Sequence, residues 1–432
     1  MAKTYDTYKD SGIAWIGNIP SGWSTIKNKY LYSLLYSGGT PTASEGKFYA
    51  EEGCPFVAIS DMSTTEYVTE TKKHLTEDGI ANKNLKILPS GTILYSIYAT
   101  VGVVSELMID ATISQAMLAI ELKSKINKSY YKYNLKAMKD YIFSQANVNT
   151  QFNLNAEKVS IFVFCFPPLS EQQAIATYLN KKCGEIDSLI SLQEEMISEL
   201  QAYKQSVITE AVTKGLDPNV PMKDSGVEWI GNIPSGWSTI KNKYLYSLLY
   251  SGGTPTASEG KFYTEEGCPF VAISDMSTTE YVTETKKHLT KDGIANKNLK
   301  ILSSGTILYS IYATVGVVSE LMIDATISQA MLAIELKSKI NKSYYKYNLK
   351  AMKDYIFSQA NGNTQFNLNA EKVSNFVFCF PPLSEQQAIA SYLDEKTSQI
   401  DSLIALKQEK ITELKDYKKS IIYEYVTGKK KV

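Results

Sequence analysis

Few residues in this chain have the type and spacing needed to carry out a reaction. Its 432 residues include only two histidines, His74 and His288, each following a Thr-Lys-Lys run that reads as a solvated loop. Two histidines cannot build a histidine-based metal site in each half of the chain. The five cysteines, Cys54, Cys165, Cys183, Cys268 and Cys379, form no Cys-x-x-Cys and read as buried thiols rather than disulfides or zinc ligands. Asp61 and Asp110 are isolated acids with no base nearby in sequence, suited to capping or surface roles. Gly46-Lys47-Phe48 resembles a phosphate loop only in part, because Phe48 stands where a hydroxyl residue is needed and the upstream glycine is missing. Pro167-Pro168 lies between Phe166 and Leu169, so it reads as the start of a helix and not as the Asn/Asp-Pro-Pro-aromatic motif of an adenine methyltransferase. These residues point to binding rather than catalysis, and to no metal site.

Charge narrows what could be bound. Basic and acidic residues number 45 each, and every basic one is lysine. A balanced charge argues against strong standalone binding of nucleic acid. Any phosphate contact must come from lysine, hydroxyls, amides or backbone N–H groups. Lys123, Lys125, Lys128, Lys132, Lys136 and Lys139 form a basic run with Tyr130, Tyr131 and Tyr133 interleaved. Such a run is either a nucleic-acid patch or a solvated helix face, and both readings stand. No run of about 18 apolar residues is present, and Met1–Asp6 lacks the apolar core of a signal peptide. The chain is therefore expected in the cytoplasm, away from membranes.

The elements that must position these residues occur twice. Lys9–Phe166 returns as Lys223–Phe380 with seven substitutions, and Trp23–Tyr49 is identical to Trp237–Tyr263. A period this long means two copies of a domain, since stacked solenoid units are about 20–50 residues. Within a copy, Phe56–Ile59, Thr92–Tyr95, Val101–Val104 and Phe162–Phe166 read as strands, and Tyr30–Tyr36 and Tyr130–Ala146 as helices. A long helix should follow, capped by Ser170 with Gln173 three residues on, running to about Thr213 with Gly215 placed to end it. Ser384 and Gln387 repeat the cap. Heptad spacing sets Ile186, Gln193, Leu200 and Val207 at one seam position and Leu189, Met196 and Tyr203 at the next, with Ile190 and Ile197 beside them. Ile400, Leu403, Ile404, Lys407, Ile411, Leu414, Tyr417 and Ile421 repeat the pattern. A rod of some forty residues, about 65 Å long, must pair its apolar stripe, and the other rod is the expected antiparallel partner, with Gln193 and Lys407 either facing each other as a register device or both turned outward to solvent. The expected fold is α+β: a globular domain over 1–166, a long helix over 167–215, a second domain over 216–380 and a second helix over 381–432.

The motifs in their order resemble the specificity subunits of type I restriction–modification systems. Asp10-Ser11-Gly12-Ile13-Ala14-Trp15-Ile16-Gly17-Asn18-Ile19-Pro20 followed by Gly22-Trp23 is similar to the family's opening, as is Gly38-Gly39-Thr40-Pro41. Pro168-Leu169-Ser170-Glu171-Gln172 resembles the start of its conserved helix, and Gly215-Leu216-Asp217 with Lys223–Trp229 its central connection. The resemblance spans nearly the whole chain and occurs in both halves. It implies two target-recognition domains separated by two antiparallel coiled-coil helices, with pseudo-twofold symmetry. It further implies binding of a bipartite site in double-stranded DNA and docking of two modification subunits, which methylate adenine using S-adenosylmethionine. Restriction subunits join that complex. No cofactor and no catalytic site are expected on this chain.

On this reading, three loops and a few flanking residues are candidates for contact with DNA. Gly38, Gly39 and Thr40 allow close backbone approach and offer a hydroxyl; Tyr98 and Thr100 lie in a second loop; Asn147, Asn149, Thr150 and Gln151 could bond base edges. Lys47, Tyr49, Ser60 and Ser63 complete the set. The second copy supplies Gly252, Gly253, Thr254, Lys261, Tyr263, Ser274, Ser277, Tyr312, Thr314, Asn361, Asn363, Thr364 and Gln365. Near-identical domains should read the same bases, so the expected target is an interrupted palindrome. A second reading, a non-enzymatic coiled-coil scaffold whose repeated domains bind protein or peptide, predicts no DNA dependence and no co-purifying methyltransferase.

Overall fold

A computed structural model describes residues 4–42, 46–62, 66–98, 100–144, 154–256, 260–276, 280–312, 314–358 and 368–432, without the side chains of residues 140 and 144. Contacts divide the chain into two units, 1–193 with 409–432, and 194–408. Each unit therefore joins one globular repeat to parts of both long helices, and the boundary falls inside the helices rather than at the ends of the repeats.

In the first unit the chain opens with the hairpin β1 (Tyr8–Asp10) and β2 (Asn18–Pro20), followed by β3 (Ser24–Lys27) and β4 (Tyr32–Ser37). Next come β5 (Tyr49–Ala50), β6 (Cys54–Val57), the helical turn α1 (Ile59–Met62), β7 (Tyr67–Val68), β8 (Lys73–Leu75) and α2 (Glu77–Asn82). The strands β9 (Ile93–Ser96), β10 (Val104–Leu107), β11 (Thr112–Ile113) and β12 (Met117–Leu122) precede α3 (Lys128–Ala137), α4 (Lys139–Ser144), α5 (Ala156–Ser160) and β13 (Val163–Phe166). One sheet has the order β4-β12-β9-β10-β7, antiparallel except for β10 with β7. A smaller sheet has the order β11-β6-β8-β5, and β13 pairs with β3. The second unit repeats this order strand for strand.

Tyr32–Ser37 is an edge strand and not the expected helix. Both of its faces are covered, which removes the alternation that marks a strand. Leu34 and Tyr36 pack into a core with Val57, Val68, Leu94 and Ala119. The second copy shows the opposite face, where Tyr246 and Leu249 pack with Ile307, Ile334, Tyr345 and Phe378. Two other expectations shift. Val101–Val103 form a turn ahead of β10, with Gly102 at φ +87°. His74 lies within β8, half-buried and paired with Ala50 and Pro55, rather than in a solvated loop. Cys165, Cys183 and Cys379 are buried and all five thiols are free.

The long helices run Leu169–Lys214 and Leu383–Val426. The expected cap does not form at Ser170. Pro168 O already accepts from the N–H groups of Glu171 and Gln172, at 2.9 and 3.0 Å, which puts Ser170 inside the first turn. The anchor is the next pair of residues. Trp23 Nε1 donates to Glu171 Oε2 at 2.9 Å, and the Tyr5 hydroxyl donates to Glu171 Oε1. Gln172, fully buried, accepts from Asn127 N at 2.9 Å and donates to Pro167 O at 2.9 Å. Trp237, Glu385 and Gln386 repeat these bonds in the second unit.

The far ends of the helices are equally committed. Gly215 at φ +77° and Gly428 at φ +71° end them in the left-handed conformation that glycine alone adopts freely. Gly215 packs on Trp237 in the second unit and Gly428 on Pro20 and Trp23 in the first. Tyr130 OH donates to Val426 O at 3.1 Å, and Tyr344 OH to Val212 O at 3.3 Å. Each globular repeat is thus gripped by the start of one long helix and the end of the other.

Within each unit the helix segments run antiparallel. In the first, the Tyr178 and Tyr425 rings lie 4.5 Å apart and Asp187 pairs with Lys418 at 2.6 Å. In the second, Lys204 pairs with Asp401 at 2.6 Å. Both ion pairs keep one register, in which the residue numbers add to 605. Carried along the first unit, the contacts set Gln193 level with residues 410–412, which moves its expected partner away from Lys407. Ile186, Ile400 and Ile421 are buried, while Gln193, Leu200, Val207, Lys407 and Leu414 are half-buried. Leu189 and Leu403 are 47 % exposed, and Ile190 and Ile404 take the second seam position instead. The stripe steps by four residues there, and a one-residue offset turns a side chain by about 100° around the helix.

Two glycines test the grip and the rod separately. A Cβ on Gly428 would lie 2.4 Å from Pro20 Cδ at a positive φ, whereas Gly184, inside the first long helix, has open space around it. Gly428→Ala is expected to cost about 2 kcal/mol and Gly184→Ala to add about 1 kcal/mol, read as opposite shifts of the urea midpoint.

Candidate nucleic-acid interface

The basic run is not an open patch. Its central helix, α3, buries Tyr130, Tyr131 and Tyr133 in the core. Lys132 is almost fully buried and bonds Glu106 at 3.0 Å and Glu66 at 3.4 Å. Lys128 pairs with Glu106 at 2.9 Å and Lys136 with Glu66 at 3.2 Å. Lys342, Lys346 and Lys350 make the same pairs with Glu320 and Glu280. Burial opposes charge on Glu66 and Glu106, but the lysines outweigh it and hold both carboxyls below their ordinary range. Burial likewise opposes the Lys132 ammonium, and the bond to Glu106 with the nearby Glu66 charge raises it. For Lys128, Lys132 and Lys136 both readings give way to an internal ion network that pins α3 to β10 and to Glu66, just ahead of β7, while Lys123 and Lys125 are exposed.

The candidate contact residues sort by what already occupies them. A Cβ on Gly38 would lie 2.0 Å from Ile113 O, so this glycine is required by packing inside the domain. Gly39 donates to Ile113 O at 3.2 Å. Thr40 is half-buried and Lys47 exposed, with Lys47 Nζ 5.0 Å from the Phe48 ring. Tyr49 spends its hydroxyl on Pro41 O at 2.8 Å, which braces the glycine loop from within. Ser60, Tyr98 and Thr100 are exposed. Gly252, Gly253, Thr254, Lys261, Tyr263, Ser274, Tyr312 and Thr314 lie in equivalent places, and Tyr263 bonds Pro255 O at 2.8 Å. Ser63, Asn147, Asn149, Thr150, Gln151, Ser277, Asn361, Asn363, Thr364 and Gln365 lie outside the described residues.

The fold nonetheless gathers these segments. Leu154, at the end of the polar loop, donates its N–H to Ile97 O at 3.3 Å, next to Tyr98. Ile97 and Tyr98 donate to Ala116 O at 2.9 and 3.3 Å. Ser114 donates to Val57 O at 3.1 Å, just ahead of Ser60. The connection from β11 to β12, residues 113–117, therefore ties together the glycine loop, the Ser60 turn and the Tyr98 loop. Sequence reading passed over this connection, because Thr-Ile-Ser-Gln-Ala carries no turn glycine or proline to mark it.

A cleft of about 1270 Å³ between the first globular repeat and its helix pair holds no paired acid and base. Its three acids, Glu66, Asp187 and Asp416, are each held by a lysine. Among the described residues, no three His, Cys, Asp or Glu side chains converge as a metal site would require, and no helix is long and apolar enough to cross a membrane.

Comparison with known proteins matches residues 20–202 and 234–416 to a family described as the type I restriction modification DNA specificity domain. The MjaVIII type I restriction enzyme specificity subunit of Methanocaldococcus jannaschii is 26% identical over 74% of each chain. The MjaIX specificity subunit of the same organism is 24% identical over 96% of this chain and 95% of its own. A chain solved in work on complex assembly and conformational transition of the type I R-M system aligns at a TM-score of 0.66 and 16% identity, over 94% of this chain and 98% of that one, which is a likeness of fold.

Removing the central lysine of the network leaves two carboxylates poorly compensated. Lys132→Ala is expected to cost about 3 kcal/mol. Because the folded carboxyls sit below their unfolded values, the network contributes fully above about pH 4.3 and its contribution disappears as pH falls through the lowered values. Thermal melting from pH 7 to pH 3 should show a smaller acid-side loss in Lys132→Ala than in the parent protein.

Proposed function

The chain belongs to the type I restriction–modification DNA specificity family, and from that premise we propose that it selects a bipartite, interrupted-palindromic site in double-stranded DNA for its complex. It has no catalytic site of its own. Two modification subunits dock on it and methylate adenine at N6, with S-adenosylmethionine bound to them and not to this chain. Restriction subunits join the same complex, and the assembly works in the cytoplasm.

The observation that carries this reading is the duplicated grip. Two near-identical globular repeats are each held by the start of one long helix, and the helix segments in each unit run antiparallel. Two near-identical domains offer the same contact loops twice. That arrangement suits a sequence that reads the same from either strand. The rods then set the gap between half-sites, since base readout works only where both domains meet the correct groove face.

Charge supports the role of partners. Three lysines of the basic run in each copy are spent on Glu66, Glu106, Glu280 and Glu320. Affinity should then come largely from modification subunits closing around the duplex, and the isolated chain should bind its site weakly at physiological salt.

Methylome sequencing of a strain carrying this chain and its partners tests the proposal. Two like, inverted half-sites around a fixed gap are expected. Unlike half-sites, or no methylation that depends on the chain, would refute it. Insertion of one heptad into both rods is expected to change the gap and leave the half-sites as they were.

A further inference from the structure

We propose that Gln115, with its counterpart Gln329, reads one base pair in each half-site, and that an A·T pair is what it selects. The inference rests on the DNA-selecting role above and names a residue of that role. Gln115 stands in the connection from β11 to β12. Its neighbours are committed: Thr112, Ile113 and Met117 are fully buried and Ser114 nearly so. Gln115 alone in this stretch is exposed, and its side chain makes no hydrogen bond among the described residues.

Its backbone platform is held from several sides. Gly39 N bonds Ile113 O, Ser114 N bonds Val57 O, and the N–H groups of Ile97 and Tyr98 bond Ala116 O. Gly253, Ser328, Ile311 and Tyr312 make the same four bonds around Gln329, at 2.9–3.3 Å. A free carboxamide on a rigid platform, at the junction of the candidate contact loops, suits the reading of a base edge. Its Oε1 accepts and its Nε2 donates, which matches the N6 and N7 groups of adenine in the major groove. None of the seven substitutions between the copies falls in this connection, as two equal readers require.

Lys83 provides a contrast. It is exposed, and its Cβ lies 3.2 Å from where a Cβ on Gly39 would be, at the margin of the same junction. A lysine there suits a phosphate, which holds the duplex but carries no sequence information.

The test uses the complex with its modification subunits and a library of duplexes carrying the methylated motif with each base varied. Gln115→Ala with Gln329→Ala is expected to lower discrimination at one position of each half-site by about tenfold to a hundredfold, with the other positions unchanged. Gln115→Glu with Gln329→Glu is expected to move preference at that position toward C·G, because a carboxylate accepts from the cytosine amine. This variant also supplies the answer if the alanine protein does not fold. Gln329→Ala alone should relax one half-site only. Lys83→Ala with Lys297→Ala should weaken methylation of all sequences alike and flatten its salt dependence. Unchanged discrimination at every position in both glutamine variants would overturn the assignment. A parent complex that methylates without regard to sequence would instead overturn the proposed function, and the two failures are distinct.

Discussion

The grip between each globular repeat and the long helices is the constraint on which the rest depends. At the start of each helix, a tryptophan indole bonds a glutamate while a buried glutamine bridges two backbone segments. At the end of the other long helix a glycine in the left-handed conformation lets the chain pass close to that same tryptophan. A buried carboxamide with both of its ends satisfied fixes an orientation, because any rotation leaves an unpaired polar group in the core. The repeat therefore cannot swivel on its helix without breaking several bonds at once. Each repeat is thereby fixed to the helix segments of its own unit.

The same economy governs charge. Lysines that look available in the sequence are folded against glutamates, where they pin α3 to the sheet. What the candidate loops offer a target is mainly short polar groups tied to a common strand connection, with Lys47 and Lys83 exposed beside them. Short polar groups held by backbone bonds discriminate through geometry more than through attraction. A domain built this way can be selective while binding weakly alone.

Much of this was legible in the sequence, and the failures have physical causes. The duplication, the long helices and Gly215 at the end of the first follow from identity, heptad spacing and the special conformations of glycine. Tyr32–Ser37 was misread because a strand covered on both faces loses its alternation. Ser170 was misread because Pro168 already accepts the first helical bonds, which moves the anchor to Glu171 and Gln172. The lysine run could not be resolved because Glu66 and Glu106 lie far from it in sequence and meet it only across the sheet. Leu189 and Leu403 fell one residue off the seam, where helical geometry turns a side chain outward. Gln115 gave no local signal, since its setting is made by backbone bonds from three distant segments.

The central claim is that the chain selects two like, inverted half-sites at a fixed gap. Its most direct measurement is methylation of paired oligonucleotides by the assembled complex, with the two half-sites arranged either as an inverted repeat or as a direct repeat at the same gap. The inverted arrangement should be methylated on both strands and the direct arrangement should be methylated poorly if at all. Equal methylation of the two arrangements, or a preference for the direct repeat, would contradict the account.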